Sequence, residues 1–155
     1  MGTHFSAPWD TKVKLFTAAF LGLFVGLYVY TDSFFTGALV LTIGLGAAAF
    51  AVRGYSIHDG HLLVHRLGWS TSFDLANLSH VEMSPGVTTG SVRTWGIGGL
   101  FGYIGYFRNS ILGSYRAYAT NSANEVVLQF GDDTIVVTPG NPAAFVDALK
   151  AREVQ

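Results

Sequence analysis

The chain has 155 residues, of which 50% are hydrophobic and only 12% are charged, and its formal net charge is −1. In ordinary soluble domains about a quarter of the residues are charged, so this composition indicates a membrane protein. The length leaves room for one small domain beside the membrane segments. A sequence pI near 6.5 without a Lys/Arg cluster argues against a nucleic-acid partner. The lack of cysteine excludes disulfides, thiolate catalysis and thiolate metal sites.

Two long apolar stretches near the N-terminus predict membrane-spanning helices. Residues 13–30 carry a single charge, Lys14, near the end where its long side chain can reach the headgroups. At 1.5 Å per residue these 18 residues cover about 27 Å, close to the roughly 30 Å of a bilayer core. Residues 34–52 contain no charge and follow the polar turn "TDS". So short a connection predicts an antiparallel helical hairpin within an N-terminal region of residues 1–53.

Small residues recur at every fourth position on both predicted helices. They are Ala18, Gly22 and Gly26 on the first helix and Gly44 and Ala48 on the second. Such faces allow two helix backbones to approach closely. We favour packing of the two helices on one another. The alternatives are contact between two copies of the chain and chance, since Gly and Ala are common in membrane helices.

Charges around the two stretches predict their orientation. Lys12 and Lys14 lie at the start of the first stretch and Arg53 follows the second, whereas the intervening turn carries only Asp32. By the positive-inside rule, both termini are expected in the cytoplasm. A cleaved signal peptide is the competing interpretation, because residues 47–51, "AAAFA", resemble a cleavage site. A signal h-region spans only about 7 to 15 residues, however, and two longer apolar stretches precede this site.

From residue 54 onward, short β-prone runs alternate with turn signals, which predicts a mainly β domain over residues 54–155. "YSIHDGHLLVHR" places Asp59-Gly60 between two such runs, a pattern typical of a β-hairpin. Five later runs bring the number of candidate strands to seven: "TSFDL", "SHVEMS", "SYRAYAT", "EVVLQF" and "TIVVT".

The chain ends in a predicted amphipathic helix of about residues 142–151. Asn141 is placed to cap its first turn, and Pro142 occupies its first position. Phe145, Val146 and Leu149 recur at spacings of three and four, which puts them on one face. This apolar stripe is expected to cover the open end of a small barrel.

The segment "WGIGGLFGYIG", residues 95–105, invites comparison with a nucleotide-binding loop. It lacks the G-x-G-x-x-G spacing and a helix-forming sequence after it, and the chain has no G-x-x-x-x-G-K-[ST] motif, so neither a nucleotide nor another cofactor is expected. Loop or strand-bulge geometry is one interpretation of its glycines. The other is a glycine-kinked hairpin that packs beside the membrane or beneath the two helices and so forms a contact surface, because so many apolar groups should not stand free in water. Its candidate residues, with the flanking arginines, are Trp95, Leu100, Phe101, Tyr103, Arg93, Arg108 and Arg116.

Histidines and serines are frequent, but no catalytic or metal-binding pattern emerges. His58, His61 and His65 lie in or near the first hairpin, and no Cys, Asp or Glu evidently completes a zinc site with them. We therefore expect ordinary strand histidines and no metal. A nucleophile elbow, a paired-carboxylate motif and a metal-protease helix are all missing, so no catalytic residue is expected.

The predicted N-terminal membrane hairpin is followed by four segments in order: "YSIHDGHLLVHR", "GIGGLFGYIGYF", "LGSYRAYAT" and "VVTPGNPAAFVDAL". This arrangement resembles a family of bacterial membrane proteins that have an N-terminal two-helix membrane hairpin and a pleckstrin-homology (PH)-like domain. The resemblance covers nearly the whole chain, and its specific part is the last three segments in that order, among which the tyrosine-rich strand and the Thr-Pro-x-Asn-Pro-x-x-Phe helix start carry more weight than the glycines. It implies a PH-like fold, here a seven-stranded small barrel with one C-terminal helix, on the cytoplasmic side of a bacterial membrane. It implies no established enzymatic activity and carries over no binding residue.

Together these observations predict a multi-pass protein of the bacterial cytoplasmic (inner) membrane. Its function would be that of a non-catalytic PH-like interaction module that binds a protein, peptide or lipid at the membrane surface. The alternative is a structural or assembly subunit that self-associates through the aromatic glycine-rich segment and an exposed strand edge. The expected partners are the lipid bilayer, an unidentified protein or lipid ligand and, for the alternative, further copies of the chain.

Overall fold

The computed structural model describes residues 3–153, and their strands form two β-sheets. The first sheet contains four strands in the order β1-β2-β3-β4: β1 (Thr3–Ser6), β2 (Gly54–His58), β3 (His61–His65) and β4 (Ser70–Asp74). The second contains six: β5 (Leu78–Met83), β6 (Val92–Gly98), β7 (Tyr103–Asn109), β8 (Gly113–Ala119), β9 (Val126–Phe130) and β10 (Asp133–Val137). The helices are α1 (Thr11–Thr31), α2 (Phe34–Phe50) and α3 (Pro142–Glu153), and a short 3-10 helix covers Leu75–Asn77.

The two sheets do not close into a barrel, so the predicted seven-stranded small barrel is wrong. The second sheet has the order β5-β9-β10-β8-β7-β6 and ends in the open edges β5 and β6. Its middle strands β10 and β8 pair in parallel, with Val136 opposite Ala117. A mainly β domain with one C-terminal helix is confirmed.

Strand β1 precedes both long helices and belongs to the first sheet. It pairs antiparallel with β2, placing Phe5 opposite Tyr55. The Gly140 N–H also donates to the Ser6 carbonyl oxygen at 2.8 Å. The predicted domain division puts residues 1–53 ahead of the β domain. The structure instead inserts the two helices between neighbouring strands of one sheet, so the chain enters and leaves the hairpin from the same domain.

The long helices form an antiparallel pair joined by a tight turn. Asp10 caps α1 by accepting the Val13 N–H at 2.7 Å, and Asp32 ends it with a left-handed φ of 43°. The 21 residues of α1 make a helix long and apolar enough to cross a membrane, by length and composition. The apolar helix α2 is shorter, with 17 residues.

The glycines of the predicted small-residue faces contribute little to the packing of α1 on α2. A Cβ added at Gly22, Gly26 or Gly44 would meet no atom within 4 Å beyond its own surroundings in the helix. The predicted close approach through these glycines is therefore wrong. The helices instead make close contact at Gly37, where a Cβ would stand 2.8 Å from the Tyr28 ring.

The core lies between the two sheets and is closed by α3. The Tyr55 hydroxyl donates to the Tyr118 carbonyl oxygen at 2.5 Å and accepts the Thr138 N–H at 3.1 Å. Its complete burial raises the pKa of Tyr55 to about 12. Asn141 Oδ1 accepts the Ala144 N–H at 3.1 Å and so caps the first turn of α3. The buried face of α3 is the predicted one: Phe145, Val146 and Leu149.

Candidate functional site

The glycine-rich segment is a β-hairpin formed by β6 and β7. Gly96 stands opposite Gly105, with φ angles of 112° and 131° that side chains rarely tolerate. A Cβ at Gly96 would overlap the Ile104 carbonyl oxygen, and one at Gly105 would overlap the carbonyl oxygen of Trp95. These two glycines therefore let the two backbones approach, and a strand rather than a helix follows them.

The turn of this hairpin, residues 99–102, docks on the first turns of α1. Its Gly99 N–H donates to the Gly102 carbonyl oxygen at 2.9 Å. The Phe101 N–H donates to Thr17 Oγ1 of α1 at 3.0 Å, and the Phe101 ring meets Trp9 edge-on at 5.7 Å. Because Thr17 is only 5% exposed, this contact fixes the β domain against the helix.

A second contact joins α2 to the β domain. The ring of Phe50, the last residue of α2, meets Trp69 edge-on at 5.1 Å between centroids. Trp69 lies in the connection between β3 and β4. Both helices are thus held to the domain, one to each sheet.

A cavity of about 470 Å³ lies between the β6–β8 side of the second sheet and the start of α1, and we call it the junction pocket. Its volume is in the range of small-molecule sites, about 300 to 1,000 Å³. Phe107, Ala117 and Ala119 form its apolar floor. Its walls carry hydroxyl groups from six residues: Thr88, Thr89, Ser91, Tyr103, Tyr115 and Ser122.

Two cationic side chains line the junction pocket. Lys12 comes from the first turn of α1, and Arg93 comes from β6. The Arg93 side chain runs along β6 toward the end of the strand. Its Cδ and Nη1 lie 3.5 Å from the position that a Cβ on Gly98 would occupy. The guanidinium therefore extends toward the turn that docks on α1. In the ion pairs found among residues 3–153, neither cation takes part.

A buried carboxylate holds the loop that forms one wall of the pocket. Glu125 is 1% exposed, and it accepts the Thr88 N–H at 3.2 Å and a short hydrogen bond from the Thr88 hydroxyl. Burial raises the pKa of Glu125, and the hydrogen bonds from residues 86–88 oppose that rise. Burial likewise raises the pKa of the Tyr103 and Tyr115 phenols, and the Tyr115 hydroxyl donates to Ser91 Oγ at 2.7 Å.

Replacing Glu125 by glutamine is expected to change how stability depends on pH. A carboxyl whose pKa is raised on folding stabilises the fold below its ordinary pKa of 4.5, and this contribution is lost as the pH rises through the folded value. Urea unfolding of the full chain at about pH 5 and about pH 8 should therefore show a smaller loss of stability for E125Q than for the wild type. E82Q, at an exposed position, is the control and should keep the wild-type slope. An E125Q slope equal to that of the wild type would contradict this role.

The structure separates the predicted contact residues. Leu100 and Phe101 lie in the turn at α1, whereas Tyr103 and Arg93 line the junction pocket. Trp95 is 77% exposed on the opposite face of β6. The seven residues therefore do not form one surface.

Two of the predicted arginines lie away from the pocket. Arg116 pairs with Asp133 through Nη2 and Oδ2 at 2.6 Å and lies 5.7 Å from the centre of the Phe73 ring. Arg108 is exposed and follows Phe107 in β7, so it points to the face opposite the pocket. Only Arg93 among the three is placed to act in the junction pocket.

A smaller cavity of about 280 Å³ lies on the Trp95 side of the sheet. It is lined by Trp95, Phe50 and Arg66, and the Arg66 guanidinium carbon lies 5.0 Å from the centre of the Tyr118 ring. The positive charge of Arg66 thus lies against aromatic rings, and such rings attract a cation at this distance.

The strand histidines form hydrogen bonds rather than a cluster. His65 Nε2 lies in a short contact with Ser56 Oγ, its Nδ1 lies 2.8 Å from Ser70 Oγ, and its ring stacks on His4 at 5.8 Å. Partial burial, with a smaller effect of His4, lowers the pKa of His65. Within residues 3–153, no three His, Asp or Glu side chains are grouped so that they could hold a metal ion.

Two residues of the site are not among the predicted ones: Lys12, which lines the pocket, and Glu125, which holds the loop at Thr88. The sequence indicates only a role in membrane orientation for Lys12, and it predicts that Glu125 begins a strand. Asp10, directly before an apolar stretch, is a capping signal that would have placed the start of α1. The pairing of α1 with the hairpin turn had no local signal.

The fold is a two-sheet β domain closed by a C-terminal helix, with a pocket beside an inserted helical pair. The family profile described as "Bacterial PH domain" matches residues 53–153. Because this match covers most of the chain, the protein belongs to the bacterial PH domain family. Strand β1 and helices α1 and α2 lie outside the matched residues. Searches of curated proteins and of solved structures return no match.

Proposed function

We propose that the chain is a membrane-anchored, non-catalytic interaction module whose PH domain recognises its ligand at the cytoplasmic surface of a bacterial inner membrane. The observation that carries this proposal is the docking of turn 99–102 on Thr17 of α1. If α1 enters the bilayer, this contact holds the β domain and the junction pocket at the membrane surface. Recognition would then occur where the pocket meets the headgroups.

The character of the helices supports membrane anchoring. At 1.5 Å per residue, the 21 residues of α1 cover about 32 Å, enough for a bilayer core of roughly 30 Å. The 17 residues of α2 cover about 26 Å and contain no charge, so a small adjustment of the bilayer would accommodate them. Large apolar side chains stand exposed on both, among them Leu23, Val29, Leu41 and Leu45.

The proposed orientation is supported by the charges at the two ends of the helical pair. Lys12 and Arg53 flank the helical pair on the side of the domain, and the distal turn carries Asp32. The positive-inside rule places the domain side, with both termini, in the cytoplasm.

A non-catalytic role is supported by the carboxylates nearest the junction pocket. Glu125 binds the loop at Thr88, and Asp10 caps α1 and also accepts the Ser122 N–H at 3.3 Å. Both groups are thus engaged in holding backbone rather than presented to a substrate.

Membrane anchoring can be tested by two matched substitutions of exposed apolar residues. Leu41 of α2 is 62% exposed, and Ile111, in the β7–β8 turn, is 70% exposed. An arginine at the centre of a membrane helix costs about 2.5 to 3.5 kcal/mol, so L41R should shift the protein out of the carbonate-resistant membrane fraction. I111R should leave it there. Release of the wild-type protein by carbonate, with no difference between the variants, would contradict anchoring.

The assembly subunit stays as a second candidate because of the open edge strand β6. Val92 and Trp95 of this strand are 68% and 77% exposed, and an unpaired edge can accept a strand from another chain. Size-exclusion chromatography with light scattering in detergent separates the two candidates. A closed oligomer that W95E disrupts would favour assembly, and a monomer would favour recognition.

A further inference from the structure

Arg66 lines the smaller cavity beside Trp95 and supplies its positive charge. The Arg66 N–H donates to the Trp69 carbonyl oxygen at 2.9 Å, which holds the residue in the β3–β4 connection. The guanidinium carbon lies 5.0 Å from the centre of the Tyr118 ring and 5.8 Å from that of Trp69. Nε is buried and has no hydrogen-bond partner among residues 3–153. A buried donor without an acceptor is costly, so this side chain can still take up an anion.

The other walls of this cavity offer Arg66 no counter-charge. They consist of aromatic, aliphatic and glycine residues, among them Phe50, Ile104 and Tyr118. The ion pairs found in the described part of the chain involve other side chains. Arginine binds carboxylate oxygens through its planar fork of donors. A ligand that complements the cavity therefore carries a carboxylate next to apolar groups.

Strand β6, which forms one wall of the cavity, has an open edge. It is the last strand of its sheet and pairs with β7 on one side. A register shift between Arg93 and Trp95 marks a bulge, so Arg93 lines the junction pocket and Trp95 lines the smaller cavity on the other face. An open edge can pair with an extended segment of another chain, and alternate side chains of that segment would point toward the cavity.

The size of the cavity favours a peptide side chain over a whole small-molecule ligand. Its volume of about 280 Å³ falls just below the range of about 300 to 1,000 Å³ that is typical of small-molecule sites. Trp95 and Tyr106, which stand opposite each other and are both exposed, offer apolar surface to the neighbours of an acidic residue. Strand β6 itself contains no Asp or Glu, so pairing of two β6 strands would bring no carboxylate to Arg66.

We propose that β6 and the smaller cavity bind an extended acidic segment of a partner protein. The backbone of this segment pairs with the open edge of β6, and one of its Asp or Glu side chains binds Arg66. The inference rests on the proposed role as an interaction module and names the kind of partner. Because Phe50 at the end of α2 also lines the cavity, the bound segment would lie at the base of the helical pair.

The test begins with selection of a random heptapeptide display library on the immobilised full-length protein in a neutral detergent. The peptide enriched most is synthesised as selected and with its acidic residue replaced by the corresponding amide. Both forms are titrated by calorimetry against the wild type, R66Q and R53Q, and hydrogen exchange of the wild type is followed with and without the peptide. R53Q is the matched control, because Arg53 is exposed, lies beside the same end of β3 through its N–H bond to His65, and does not line the cavity.

We expect the enriched peptides to share one Asp or Glu among β-prone residues. The selected peptide should bind the wild type and R53Q equally and should slow hydrogen exchange at the backbone amides of β6. R66Q and the amide form of the peptide should each raise the Kd at least about tenfold, and their combination should raise it little further, since both remove the same charge-assisted hydrogen bond. The amide form leaves the protein unchanged, so it decides the test even if R66Q lowers the Tm.

Several results would overturn the inference. Enriched peptides without a shared acidic residue, or no enrichment at all, would remove the acidic partner, and equal affinity of R66Q and the wild type would remove Arg66 from the site. Unchanged exchange in β6 would exclude strand pairing, and hexanoate binding as tightly as the peptide would assign the cavity to small carboxylic acids. Because the titration is made in detergent, its outcome is independent of whether carbonate extracts the protein from membranes.

Discussion

Replacing Phe145 by alanine is expected to lower the free energy of unfolding of the β domain by about 3 to 5 kcal/mol, the usual loss for a buried phenylalanine. Phe145 is completely buried on the inner face of α3. Its ring meets Phe5 edge-on at 5.1 Å and Tyr55 at 6.1 Å, so it joins the C-terminal helix to strands β1 and β2. Alanine would leave a cavity where α3 packs on β1 and β2, the two strands that precede and follow the helical pair.

The measurement is equilibrium unfolding of the full-length protein in detergent, followed by near-ultraviolet circular dichroism. D147A, an exposed substitution in the same helix, is the control and should change stability by no more than about 0.5 kcal/mol. A loss below about 1 kcal/mol for F145A, similar to a conservative core change, would show that α3 does not close this core.

Replacing Gly105 by alanine is expected to destabilise the domain by about 3 kcal/mol, from backbone strain of about 1 to 3 kcal/mol and a comparable overpacking cost. The φ of Gly105 is 131°, and an added Cβ would overlap the backbone of Trp95 and Gly96 on the facing strand. Backbone atoms cannot rotate away as a side chain can, so the hairpin would have to open locally.

Thermal unfolding in detergent provides the measurement for G105A, and its Tm should fall by at least about 6 °C at 2 to 4 °C per kcal/mol. G98A is the matched control in the same hairpin, because its φ is ordinary and its added Cβ would meet only the Arg93 side chain, at 3.5 Å. A wild-type Tm for G105A would mean that Gly96 and Gly105 do not face each other closely.

The parts of the fold that could be predicted are those whose signals are local. The hairpin of β2 and β3 was predicted from Asp59-Gly60 between two β-prone runs, and Asp59 and Gly60 have the positive φ values, 46° and 75°, of such turns. The start of α3 was predicted from Asn141 and Pro142, and its buried face from the spacing of its apolar residues. The family profile then confirms the resemblance over residues 53–153.

The strands that are not among the seven candidates, β1, β6 and β7, lack those local signals. Strand β1 is four residues long, without a flanking turn signal, and it is paired only through its contact with β2, about 50 residues later. Strands β6 and β7 contain the glycines that ordinarily weaken strands, and here those glycines allow the close pairing at Gly96 and Gly105. The parallel pairing of β8 with β10 depends on topology rather than on either strand's composition.

The candidate site could not be predicted from the sequence because it depends on contacts between distant segments. Lys12 and Arg93 come from segments far apart in the chain, and they line one pocket because the turn at Phe101 docks on Thr17. The flanking arginines Arg93, Arg108 and Arg116 looked equivalent by position. In the structure, strand alternation turns Arg108 away from the pocket, and Arg116 pairs with Asp133.

The central proposal is that the helical pair crosses the membrane and returns, leaving the PH domain in the cytoplasm. Since the chain has no cysteine, S33C and D132C each introduce a single thiol, one in the α1–α2 turn and the other in the β9–β10 turn. A membrane-impermeant maleimide added to intact spheroplasts should label S33C at once and label D132C only after permeabilisation. Labelling of both thiols in intact spheroplasts, or protection of both until permeabilisation, would contradict the claim.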